Sequence, residues 1–184
     1  MDTERTVLAM NKFLREATRL LAAWLAEKLP KIRLMGSENW WKACVLDVLT
    51  QGQQTIIRQK AIDSLEELDL AALLRVATKN WYQLCGVGWL PRELLDIFRN
   101  MMGVRNNWAH TGVDIAAGKD QTLADLACLE RLFTLLRAKR EMLESLHQVR
   151  QEVTSGVEPR AQVVRAALSS SEQSKPTAAF ARGT

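Results

Sequence analysis

The chain has 184 residues, of which 47% are hydrophobic and 25% charged, a composition that excludes a low-complexity polymer and fits one globular domain with room for an extension. Its 25 Lys+Arg against 21 Asp+Glu give +4 and a pI near 9.1, a mild bias toward polyanions that does not by itself establish nucleic-acid binding. Cys44, Cys85 and Cys128 are odd in number, widely spaced and without a C-x-x-C, which speaks against a disulfide framework or a cysteine zinc site and for reduced thiols in a cytoplasm.

From about Asp2 to Lys28, Leu8, Phe13, Leu14, Ala17, Leu20, Leu21, Trp24 and Leu25 recur at helical spacing, and Pro30 ends the run. Glu27 and Lys28 close this apolar stretch before it reaches the roughly 18 residues of a membrane span. The first five residues enter a helical pattern directly, without the basic and apolar regions of a secretory leader, so no membrane is expected and the cytoplasm is the expected compartment. A second helix is expected from Ser37 as N-cap through Trp40, Trp41, Cys44, Val45, Val48 and Leu49, with the polar run Gln51-Gly52-Gln53-Gln54 leaving its end open. Ser64-Leu65-Glu66-Glu67 has the spacing of a capping box, and Asp69 caps again before a helix expected to reach about Leu84. Gly86 and Gly88 interrupt, and Pro91 opens a fourth helix through Glu93, Leu94, Leu95, Ile97 and Phe98. The last helix runs from about Thr122 to Val149 on Leu123, Leu126, Leu129, Leu132, Phe133, Leu136, Leu143 and Leu146.

No alternating strand pattern competes with these helices, so the expected architecture is an all-α bundle of about five helices. Residues 1–153 form the expected domain. Residues 154–184 turn to Ser, Thr, Pro, Gln and Ala and read as a flexible tail or a linker to a further domain.

Chemistry concentrates at the end of the fourth helix. Arg105-Asn106-Asn107-Trp108-Ala109-His110 places a permanent cation, two amides and one of the chain's two histidines within six residues. At about 100° per residue Asn106 and His110 share a face, while Arg105 stands about 140° around from His110. Two such side chains converge poorly on a small substrate from one helix, but two copies of the helix facing each other across a twofold axis bring both pairs into one cleft. Cleaving RNA without a metal needs a base for the ribose 2′-hydroxyl, an acid for the leaving oxygen and a cation for the phosphate. An arginine fork suits phosphate oxygens, and a histidine of unperturbed pKa about 6.5 serves as base or acid. Asn106 is placed to orient the imidazole. Thr111-Gly112 reads as a helix end, where the dipole favours a protonated His110.

Arg105-Asn106-Asn107-Trp108-Ala109-His110 resembles the RNxxxH motif of the HEPN superfamily, all-α domains many of which are ribonucleases. Ser64-Leu65-Glu66-Glu67-Leu68-Asp69, Leu73-Leu74-x-Val76, Asn80-Trp81, Leu90-Pro91 and Val104-Arg105-Asn106-x-Trp108-Ala109-His110 together are similar to the branch named after a eukaryotic nuclear transcript-surveillance endoribonuclease. The resemblance covers roughly residues 5–150. It implies a homodimer whose Arg105, Asn106 and His110 form a metal-independent, cofactor-free site for an RNA substrate. Relatives in this branch also occur attached to ATPases, helicases and methylases of phage-defence systems. The alternative it leaves is a non-catalytic module that dimerises or docks a larger defence effector.

Other features have plainer explanations. Trp108 and Ala109 interrupt the polar residues, so Trp108 belongs to the core; Arg99-Asn100 repeats the dipeptide without a histidine and reads as a solvated or interface pair. Gly103 inside the helix costs roughly 1 kcal/mol relative to alanine and suggests close approach of another helix or a bend. Trp40 and Trp41, about 100° apart, divide between core and boundary. Arg131, Arg137, Lys139 and Arg140 alternate with Glu130, Glu141 and Glu144 as a solvated face, on which His147 lies. Gly86-Val87-Gly88 lacks the sequence of a phosphate loop, and the acids Glu66, Glu67 and Asp69 are accounted for by capping.

Overall fold

A computed structural model describes residues 3–32, 39–109 and 118–155. These residues form an all-α bundle of seven α-helices: α1 Thr3–Lys28, α2 Gln51–Lys60, α3 Leu70–Lys79, α4 Trp81–Val87, α5 Arg92–Ala109, α6 Lys119–Leu135 and α7 Arg140–Ser155. None of the described helices is long and apolar enough to cross a membrane. Ser37, His110, Thr111, Gly112 and residues 156–184 lie outside the described residues.

Seven α-helices stand where five periodic stretches were expected: two stretches are divided by local backbone chemistry, and the second gives way to α2 in the polar run beyond it. Between α3 and α4 the buried Asn80 leaves helical geometry at φ −94°, ψ 14°, and its amide donates to Val76 O at 2.8 Å and Cys44 O at 2.7 Å. Between α6 and α7, Arg137 takes a left-handed φ of 55°. Its amide donates to Thr134 O and that of Ala138 to Phe133 O at 2.8 Å, the paired bonds of a Schellman stop without the usual glycine.

The expected second helix is also different. Residues Trp41–Val45 form a π-helical turn and Leu46–Val48 a 3-10 turn, opened by Asn39, whose side chain accepts from Lys42 N at 3.0 Å. The polar run beyond it starts α2. There Thr50 and Gln53 form a full capping box. Ser64-x-x-Glu67, by contrast, opens only the 3-10 turn Leu65–Glu67 without a side-chain cap bond, because the chain re-extends at Leu68. Asp69 does cap α3, accepting from Ala72 N at 2.8 Å.

The core gathers around α1, which lies against α3, α5 and α6, while α5 lies against both α3 and α6, and α6 against α7. On α1 the fully buried positions are Met10, Phe13, Ala17, Leu21 and Leu25, at steps of three and four; Leu8, about 180° from Ala17, is 62% exposed. Edge-to-face ring pairs Phe13–Phe133, Trp24–Phe98 and Trp81–Phe98 join α1 to α6, α1 to α5 and α4 to α5. Trp40 and Trp41 are both half-buried, edge to face at 5.8 Å.

Candidate functional site

Helix α5 carries the Arg105-Asn106 pair, and its burial pattern decides where those side chains stand. Leu94, Ile97, Phe98, Met101, Val104 and Trp108 are buried. At about 100° per residue they fill one face, leaving Arg92, Arg99, Gly103 and Asn106 along the opposite ridge. Arg105 sits on the flank toward α3 and Asn107 on the flank toward α6.

Arg105 has a side chain 32% exposed, and its guanidinium meets two acceptors. Nη2 lies 3.5 Å from Asp69 Oδ2, and Nη1 donates to Asn106 Oδ1 at 3.2 Å. The Asp69 side chain is 60% exposed, so solvent screens the ion pair, which contributes on the order of 0.5 kcal/mol to stability. Its consequence is orientation. The structure thus brings together Arg105 and Asn106; His110 is outside the described residues.

The other flank of α5 is fixed by Asp125 of α6, a carboxylate that is 3% exposed. Its Oδ2 accepts from the Trp108 indole N–H at 2.7 Å and, at the limit of hydrogen bonding, from the Asn107 amide at 3.5 Å; its Oδ1 accepts from Gln121 at 2.8 Å. Trp108 is therefore core, as its setting among polar residues suggests, with its one polar atom satisfied. Neither Asp125 nor the contact of Asp69 with Arg105 was anticipated from sequence. The available signal for Asp125 was its place on the apolar stripe of Thr122, Leu126, Leu129, Leu132 and Phe133, where an unexplained carboxylate needs donors.

Between α5 and α6 an open groove of about 380 Å³ is lined by Arg99, Asn100, Gly103, Asn107, Gln121 and Cys128 among others. Arg99 and Asn100 are exposed, Arg99 pairing with Asp96 at 3.3 Å. Gly103 is exposed too, and a Cβ built on it meets nothing within 4 Å among the described residues, so none of the described helices requires the glycine. On the far side of α6, His147 Nε2 lies 2.8 Å from Glu130 Oε1, while Arg150 donates to Glu130 Oε2 at 2.7 Å, a solvated cluster as expected for that face. Burial raises the Cys128 thiol pKa to about 11, with the Asp125 charge adding to it.

The sequence profile of the Swt1-like HEPN family matches residues 12–137, a span that includes the whole RNxxxH segment and most of the bundle. The chain belongs to this HEPN family. No curated protein and no solved structure matches it.

Proposed function

We propose that the chain is a metal-independent endoribonuclease acting as a homodimer, with Arg105, Asn106 and His110 as its site residues. The observation that carries this reading is the orientation of Arg105: in a HEPN chain with a complete RNxxxH segment, the guanidinium is held against Asp69 and Asn106 yet remains a third exposed. Five N–H donors on an arginine leave several for phosphate oxygens. The exposed ridge of Arg92, Arg99, Gly103 and Asn106 supplies a face for a second copy, and Gly103 lets another backbone come close.

In this reaction His110 takes the proton of a ribose 2′-hydroxyl, and the 2′ oxygen attacks the adjacent phosphorus. The bond from phosphorus to the 5′ oxygen breaks, and an acid, His110 of the partner subunit, returns a proton to that oxygen. Arg105 neutralises charge on the non-bridging oxygens in the crowded transition state, and Asn106 orients the imidazole. The products are a 2′,3′-cyclic phosphate and a 5′-hydroxyl. In this reading residues 1–153 are the domain that performs the step, in a cytoplasm and in phage defence or RNA surveillance.

Mixing wild-type with His110→Ala chains under conditions of subunit exchange tests the composite cleft. If one cleft needs both copies, an equal mixture keeps about a quarter of the wild-type activity, the share of fully wild-type dimers. Retention of about half would mean that each copy works alone. A dimer that cuts no RNA at all would replace the nuclease by a non-catalytic docking module.

A further inference from the structure

Asp69 uses its two carboxylate oxygens on two different elements. Oδ1 caps α3 by accepting from Ala72 N at 2.8 Å, and Oδ2 faces Arg105 Nη2 of α5 at 3.5 Å. The flanking Leu68 and Leu70 are 5% and 6% exposed, so the backbone that carries this carboxylate is anchored in the core on both sides. Asn106 Oδ1 engages the other terminal nitrogen of the same guanidinium at 3.2 Å. With an acceptor at each of two corners, the guanidinium lies between Asp69 and Asn106 and has further N–H donors that these two acceptors do not use.

We propose that Asp69 is a positioning residue for Arg105: the N-cap of α3 doubles as the anchor that orients the phosphate-binding guanidinium. The inference rests on the ribonuclease reading for its catalytic consequence but not for its geometric one. It also gives the Asp69 carboxylate a role that capping alone does not require. A cap needs one acceptor oxygen, and asparagine or serine provides it as well as aspartate does. Orienting Arg105 needs the second, charged oxygen.

Four substitutions separate the two roles. Asp69→Asn and Asp69→Ser keep a capping oxygen and remove the charge, Asp69→Ala removes both, and Asp69→Glu keeps the charge on a side chain that caps poorly. Thermal stability is expected to fall in the Ala and Glu variants and to stay near wild type in Asn and Ser. Cleavage should follow the other order: Glu retains most of it, while Asn, Ser and Ala lose about two- to threefold in kcat with KM little changed, the population shift that a solvent-screened ion pair can impose on Arg105. Activity that instead tracks the melting temperature would overturn the proposal.

Nitrogen-15 relaxation of the Arg105 Nε–H group, measured on the same proteins, reads the geometry without chemistry. A rigid Nε–H in wild type and Asp69→Glu that becomes mobile in Asp69→Asn supports the anchor. Equal mobility in all three overturns it. Should wild type cut no RNA, the nuclease reading fails, and the relaxation result still decides whether Asp69 orients Arg105.

Discussion

The indole N–H of Trp108 donates to the buried carboxylate of Asp125 across 2.7 Å, tying the last turn of α5 to the second turn of α6. The same carboxylate accepts from Gln121, which is exposed and can turn to water, so the cost of removing Asp125 falls on its buried bond with Trp108. An unsatisfied buried donor costs about 1–3 kcal/mol. Asp125→Ala should therefore lower unfolding stability by about 2 kcal/mol in urea titration, and Asp125→Asn, whose amide oxygen still accepts from Trp108, by about half as much. A loss under about 0.5 kcal/mol for the alanine variant would show that water replaces the carboxylate without cost.

The fold class was legible because the apolar spacing of α1, α3 and α5 is strong. What periodicity does not encode are the breaks within a continuous apolar pattern. Asn80 interrupts α3 and α4 through two buried carbonyl contacts, one of them with Cys44, 36 residues away in sequence, and Arg137 ends α6 in a conformation that sequence statistics assign to glycine. For the candidate site, residue chemistry in the sequence singles out Arg105, Asn106 and His110. Asp125 and the second role of Asp69 were missed because each depends on a contact between helices, which a linear pattern does not contain.

Two stops of this kind carry a residue with a side chain at positive φ, Ala61 at 52° and Arg137 at 55°. A left-handed conformation costs an L-residue roughly 1–2 kcal/mol that glycine avoids. Ala61→Gly and Arg137→Gly should each raise stability by about 1 kcal/mol, after allowance for the greater freedom of glycine in the unfolded chain, measured by denaturant midpoint. Destabilisation in either case would mean that the lost side-chain contacts outweigh the backbone strain.

The three thiols differ in reactivity. Cys85 is exposed, whereas Cys44 is buried and burial raises its pKa, and the Cys128 pKa is raised to about 11. Alkylation depends on thiolate, and a raised pKa removes thiolate at a given pH. At pH 8, iodoacetamide followed by mass spectrometry should label Cys85 first and leave Cys44 and Cys128 largely unmodified. Modification of Cys128 should climb as pH approaches 11. Equal labelling rates at pH 8 would contradict the burial of the other two.

Among the described residues nothing lies within 4 Å of a Cβ at Gly103, so filling it should not disturb the described bundle. Gly103→Ala is expected to stabilise the helix by about 1 kcal/mol. Gly103→Leu should leave the far-UV circular dichroism intact yet weaken self-association in analytical ultracentrifugation, if this ridge of α5 meets a second copy. Unchanged association in the leucine variant would place the interface elsewhere.

The central claim is tested most directly by incubating wild-type protein and His110→Ala with labelled single-stranded RNA and tRNA in EDTA, and analysing the product ends. Wild type alone is expected to cleave, leaving 2′,3′-cyclic phosphate and 5′-hydroxyl termini. Cleavage that persists undiminished in His110→Ala, or that ends in a 3′-hydroxyl, would contradict it.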